Sequence, residues 1–241
     1  MKDRIINCDM DKDKIRAEIS EMLSKSIQDI ISVLEDELDC QKVEIESFIM
    51  KKIKKYLKKH LTKERYQHTI GVAYTAVSMA MRYNPDTKNS DFIKKAEIAG
   101  LLHDCAKCMD NDKKLEICNK NNIPYSSFEA SHPYLLHGKV GAYVAKAKFN
   151  INDEDILQAI IWHTTGHPDM SLLEKIIFIA DYIEPSRRPI PELNEIRKLA
   201  FIDIDKTMEK ILSNTLKFLE AKGNPIDTMT QTTYDSYVTN Q

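Results

Sequence analysis

A run of small and apolar residues, Ala96 to Leu102, reads as a buried helix, yet it runs straight into His103-Asp104. A buried helix gains nothing by ending this way, because a desolvated carboxylate beside an imidazole is costly unless positive charge compensates it. A metal ion is the economical compensation. The juncture therefore points to a helical fold that gathers ligands at helix ends. The dipeptide by itself is common, and its weight depends on what the rest of the chain adds.

The chain has 241 residues, with only six glycines and eight prolines, and strand-like alternation is hard to find. That combination predicts an all-α fold, with one domain plus an extension as the simplest organisation. The net charge of −2 offers no basic field for a nucleic-acid partner. The longest purely apolar run, Ile176 to Ala180, is far too short to cross a membrane. Met1-Lys2-Asp3-Arg4 opens the chain without the apolar stretch of a signal peptide, and five irregularly spaced cysteines argue against a disulfide framework. The expected compartment is the reducing cytoplasm.

Residues 1–45 carry Ile15, Ile19, Met22, Ile27, Ile30, Leu34 and Leu38 at helical spacing, and no histidine occurs before His60. They read as a helical extension of unknown role that packs on the body or on a second copy, which would make a homodimer; residues 46–241 form the functional domain. Ile49, Ile53, Tyr56, Leu57 and Leu61 share a face and leave the lysines of 51–59 to solvent. Thr62 is an N-cap for a helix from about Lys63 to Tyr83 that carries Arg65 and His68 one turn apart. If the next helix continues through its motif, His103 and Lys107 share a face and Asp104 lies about 100° around. Cys105 and Cys108 lack the βαβ context of a redox pair and the second pair of a zinc knuckle, so they read as packing thiols. Residues 109–131 look like a polar loop over the site. His137 opens a helix, where free N–H groups favour phosphate. Asp153 or Asn152 caps a helix that brings His163 onto its buried stripe, with Gly166 as its stop. Asp181 interrupts the apolar stretch Leu172 to Glu184, and Arg187 and Arg188 follow it.

His68, His103, Asp104 and Asp181 make a metal-ligand set drawn from three helices. His137 and His163 are enough for a second ion bridged by Asp104, and Arg65, Lys107 and Arg187 surround the set with positive charge. Ligands without thiolate suit Fe, Mn, Zn or Mg. An ion so held lowers the pKa of its water to about 7, and the nearby cations stabilise charge on phosphoryl oxygens. The chemistry expected is metal-assisted phosphoryl hydrolysis.

The order His68…His103-Asp104…Asp181 resembles the signature of HD-domain metallophosphohydrolases. More narrowly, Arg65-Tyr66-x-His68-Thr69-x-Gly71-Val72, Leu101-Leu102-His103-Asp104-x-x-Lys107, His137-Gly138-x-x-Gly141-Ala142, Ile161-x-His163-Thr164-Thr165-Gly166 and Ile179-Ala180-Asp181-x-Ile183-Glu184-Pro185-x-Arg187 resemble the YqeK family, across residues 50–237. The resemblance implies an HD-domain helical bundle that cleaves diadenosine tetraphosphate symmetrically into two ADP at an iron site of one or two ions. It implies iron ligation by His68, His103, Asp104 and Asp181. It further implies a nucleotide site of Arg65, His68, Asp104, Cys105, Ala106, Lys107, His137, His163, Thr164, Asp181 and Arg187, extended by the segment Asn224, Pro225, Ile226, Asp227, Thr228 and Met229. Asp104, Lys107, His137 and His163 are the expected catalytic groups, with either histidine open to acting as proton donor or second-ion ligand. The competing readings are another HD-domain nucleotide phosphohydrolase or phosphodiesterase, and a nucleotide-sensing module that binds without turnover.

Overall fold

The computed structural model describes residues 44–84, 86 and 90–239, together with residues 21, 25, 32 and 37. The helical pattern expected for residues 1–45 falls almost wholly outside these. The chain divides into two units, Met1–Ile49 and Met50–Gln241. All regular structure among the described residues is helical.

The second unit opens on helical residues 50–60, here α1, whose Ile53 and Leu57 are fully buried while most of the lysines stay exposed. Then come α2 (Lys63–Tyr83), α3 (Asp91–Leu102), α4 (Asn111–Lys120), α5 (Ser127–Ser131), a 3-10 turn at Pro133–Leu136, α6 (His137–Phe149), α7 (Glu154–Trp162), α8 (Leu172–Ile183), α9 (Leu193–Leu199), α10 (Ile204–Ala221) and α11 (Thr228–Val238). The starts are set by side chains that satisfy otherwise free N–H groups. The Thr62 hydroxyl accepts from the Arg65 N–H at 3.2 Å, and Asp153 accepts from the Ile156 N–H at 3.2 Å. Ser171 and Glu174 form a reciprocal capping box at the head of α8. Gly166, at φ +65°, stops the turn after α7.

Helix α8 lies at the centre, against α2, α3, α7, α9 and α10. Leu173, Ile176, Ile177, Phe178, Ile179, Ala180 and Ile183 are all buried on it. Each such side chain contributes about 1.5–3 kcal/mol on leaving water. Helices α2 and α3 meet through Ala73, Ala76, Ala80, Ala96 and Ala99, all nearly or fully buried. Small side chains let the two backbones come close, which is what sets His68 near the end of α3.

Three expectations from the sequence fail here. Residues 109–131 are mostly helical rather than a loop: α4 inserts Lys114 and Cys118 into the body, four residues apart on one face. Helix α3 ends at Leu102, and residues 103–108 are successive turns. Lys107 is therefore placed by a turn in which its N–H donates to the Asp104 carbonyl at 2.9 Å, not by helical spacing from His103. Cys105 packs in the core as expected, but Cys108 is exposed.

Candidate metal and phosphate site

Asp104 sits at the centre of a convergence of imidazoles. Its Oδ2 lies 3.8 Å from His68 Nε2 and 3.5 Å from His103 Nε2. Its Oδ1 lies 3.2 Å from His137 Nε2 and 3.5 Å from His163 Nε2. Asp181 Oδ1 closes the first group, 2.9 Å from His68 Nε2 and 3.9 Å from His103 Nε2. The six residues come from α2, the α3 end, α6, the α7 end and α8, so no local stretch of chain could build the cluster.

The far nitrogens of the rings decide what the near ones can do. Nδ1 of His103 faces the Gly100 carbonyl at 2.6 Å, that of His137 the Tyr134 carbonyl at 2.7 Å, and that of His163 the Ile160 carbonyl at 2.7 Å. Nδ1 of His68 faces Glu184 Oε1 at 3.1 Å. Each acceptor fixes a proton on Nδ1 and leaves the Nε2 lone pair pointing inward. Nε2 of His137 and His163 then stand 3.0 Å apart, lone pair towards lone pair. Lys107 Nζ, 3.1 Å from His137 Nε2, and the Thr164 hydroxyl partly relieve this. Meanwhile His68 Nε2, His103 Nε2 and Asp104 Oδ1 are buried with no hydrogen-bond partner. Oriented, desolvated lone pairs around shared carboxylates are what a divalent cation satisfies. The residues fit one ion among His68, His103, Asp104 and Asp181, and a second among Asp104, His137 and His163, with Asp104 between them.

The electrostatics agree. Burial pushes the Asp104 carboxyl up, but the His103 charge and the close approach of the His103, His137 and His163 rings outweigh it and hold the group well below the usual range. Burial also acts to raise Asp181, and again His68 and His103 win, so it too stays ionised. His137 is pulled down to about 4 by burial; the nearby Asp104 carboxylate opposes this, and the charges on Lys107 and His163 reinforce it. It is a neutral imidazole at pH 7, as metal ligation requires. The Cys105 thiol, pushed up to about 12 by burial and then by Asp104, is inert.

Glu184 is the functional residue that spacing alone did not single out. It is buried, it orients His68, and it accepts from the Ser186 N–H at 2.6 Å and the Ser186 hydroxyl at 2.9 Å. Only its place one turn after Asp181 could have suggested it. Gly71 makes room for it: a Cβ there would stand 2.6 Å from Glu184 Oε2. Gly71→Ala should therefore displace Glu184, loosen His68, and weaken metal binding about 10–100-fold, read by calorimetric titration. Gly138 plays the matching role for His137, since a Cβ there would stand 2.6 Å from the Ile161 carbonyl oxygen of α7.

Cations ring the cluster. An Arg65 guanidinium N–H donates to Asp104 Oδ2 at 2.8 Å, and Lys107 Nζ lies 3.8 Å from Asp104 Oδ1. A cavity of 620 Å³ opens beside Lys107, His163, Thr164, Asp181 and Arg187, walled by Phe178, Tyr182 and Phe218. The Arg187 guanidinium stands over the Tyr182 ring, 5.5 Å from its centroid. Cys105 and Ala106 are buried, with the thiol donating to the Gly141 carbonyl at 3.6 Å, and neither lines this cavity. Asn224 and Pro225 are exposed and Ile226 is half-buried ahead of α11. Asp227, Thr228 and Met229 line a different cavity, of 730 Å³, beside Trp162 and Tyr143. The other histidines stand apart: His132 stacks on Phe128, and His167 pairs with Glu174 at 2.7 Å.

The model of the HD domain family matches residues 65–186. The chain is 41% identical over 179 residues to the symmetrical bis(5'-nucleosyl)-tetraphosphatase of Bacillus subtilis, covering 74% of this chain and 92% of that protein. It is 44% identical over 186 residues to the symmetrical bis(5'-nucleosyl)-tetraphosphatase of Halalkalibacterium halodurans, covering 77% and 95%. A crystal structure of a predicted HD superfamily hydrolase involved in NAD metabolism from Clostridium acetobutylicum aligns with a TM-score of 0.74 at 43% identity, over 80% of this chain and 98% of that one.

Proposed function

The chain belongs to the HD-domain family and, within it, to the family of the symmetrical bis(5'-nucleosyl)-tetraphosphatases, and from that premise we propose that it hydrolyses diadenosine tetraphosphate to two ADP with iron at the Asp104 cluster. The observation that carries the reading is the Asp104 carboxylate itself, with four imidazole Nε2 atoms within 3.2–3.8 Å of its two oxygens. His68, His103, Asp104 and Asp181 would hold one ion, and His137 and His163 a second. Such ions supply a nucleophilic water at neutral pH and neutralise charge on phosphoryl oxygens.

The side chains around them bind and orient. The adenosine of one half fits the cavity walled by Phe178, Tyr182 and Phe218, where a base can lie against rings. Lys107, Thr164 and Arg187 reach its diphosphate, and Arg65 supports Asp104 from the other side. These charges matter most where charge grows, on the bridging oxygen of the departing ADP. The depressed titration of His137 favours ligation over proton donation for that residue. The reading places the enzyme in the cytoplasm; no helix of the described residues is long and apolar enough to cross a membrane.

The test is to purify the protein anaerobically, count its metals, and identify the products from diadenosine tetraphosphate. ADP alone, with one or two irons per chain, is the expected result. ATP plus AMP would place the attack elsewhere on the polyphosphate, and binding without turnover would favour the sensing module.

A further inference from the structure

Two cavities border the metal cluster, and their walls differ in kind. The one beside Lys107 and His163 has three aromatic side chains. The other, of 600 Å³, opens beside His68 and Arg65 and is lined by Arg65, Arg187 and Arg188, with no Phe, Tyr or Trp among its described residues. Arg187 and Ile190 line both cavities, so the two adjoin there, and each also reaches the metal cluster, the first at His163 and Asp181 and the second at His68. Of the charged groups in the arginine cleft, Glu184 is held by His68 and Ser186 and Arg65 by Asp104, which leaves Arg187 and Arg188 facing Glu64.

We propose that this cleft is the subsite for the diphosphate of the second product, and that it reads phosphate alone. The enzyme would then recognise one nucleoside of its substrate and be indifferent to the other. The proposal rests on the symmetrical hydrolase reading above. Guanidinium forks match phosphate oxygens in pairs and in a fixed plane. A nucleobase stacks best on an aromatic ring, and this cleft has none among its described residues; its aliphatic wall residue, Ile190, is shared with the aromatic cavity. The chain of four phosphates thus runs from an aromatic pocket, across the cluster, into a cationic channel. Its length is measured from one anchored base.

The consequence is a second class of substrate. A nucleoside 5'-tetraphosphate, with four phosphates and no second nucleoside, should fill both subsites. Hydrolysis breaks the bridge between its second and third phosphorus atoms. The water oxygen bonds to one phosphorus, the bridging oxygen leaves on the other, and the two water protons are shared between the new ends or released. The products are a nucleoside diphosphate and pyrophosphate.

The iron-loaded full chain is assayed with diadenosine tetraphosphate and with adenosine 5'-tetraphosphate, as wild type and as Arg188→Ala. Arg188 is exposed, so the variant should fold. The expected kcat/KM for adenosine 5'-tetraphosphate lies within about threefold of that for diadenosine tetraphosphate. Arg188→Ala should lower both by a common factor of about ten, mainly through KM. A hundredfold preference for the dinucleotide, with ADP as its sole product, would overturn the proposal, as would an Arg188→Ala enzyme equal to wild type on both. Pyrophosphate titrated calorimetrically into both proteins decides the cleft independently of turnover: about tenfold weaker binding to Arg188→Ala supports it, and equal binding overturns it. Failure of diadenosine tetraphosphate to yield ADP would count against the function proposed above, while the pyrophosphate titration still judges the subsite.

Discussion

Asp104→Ala should abolish turnover of diadenosine tetraphosphate, by at least about a thousandfold in kcat, ~4 kcal/mol of transition-state stabilisation. It should also empty both ion positions. The reason is geometric: its two oxygens face different imidazole pairs, Oδ2 towards His68 and His103, Oδ1 towards His137 and His163. Asp181 faces the first pair, with its Oδ1 2.9 Å from His68 Nε2 and 3.9 Å from His103 Nε2. Metal analysis by mass spectrometry beside the activity assay, with circular dichroism as a check on folding, measures it. An Asp104→Ala protein that kept a full metal complement would show that the carboxylate does not bridge.

The second large effect concerns His137 and His163. Each change to alanine should remove one of two metal equivalents and lower kcat about a hundredfold or more, while the ion among His68, His103 and Asp181 stays bound. A proton donor would behave differently: metal content would stay whole, and the alkaline limb of the pH–rate profile would move. His137 is better suited to ligation because burial brings its pKa to about 4. An imidazole that is neutral throughout the physiological range has no proton on its inward nitrogen to give, since Nδ1 holds its own against the Tyr134 carbonyl.

Much of this was legible in the chain. Helical spacing around Lys63–Tyr83 and Leu172–Ile183 marks two of the main helices, because an apolar face repeating every 3.6 residues has to be buried. The awkward meetings of charge and apolar surface, at His103-Asp104 and Asp181, mark the site, since a desolvated carboxylate demands a reason. Other parts were hidden. Residues 109–131 look polar, and α4 is recognisable only once Lys114 and Cys118 are seen packed. Lys107 depends on a break in α3 that apolar spacing does not announce, because turn and helix both satisfy a short i,i+3 contact. Asp227, Thr228 and Met229 line another cavity than the one beside Lys107 and His163, a placement that no spacing in the chain announces.

The sequence by itself determined the helical class and singled out the candidate ligands, for both are written in side-chain chemistry and in local periodicity. Which carboxylate oxygen meets which imidazole was decided only by the tertiary structure. So was the place of Glu184 behind His68, and so was the contrast between an aromatic and an arginine-lined cavity beside the cluster. Those are relations between residues as many as 116 positions apart, the separation of His68 and Glu184. They arise from how α2, α6 and the end of α7 pack around α3 and α8, and no local pattern in the chain encodes a distance of that kind.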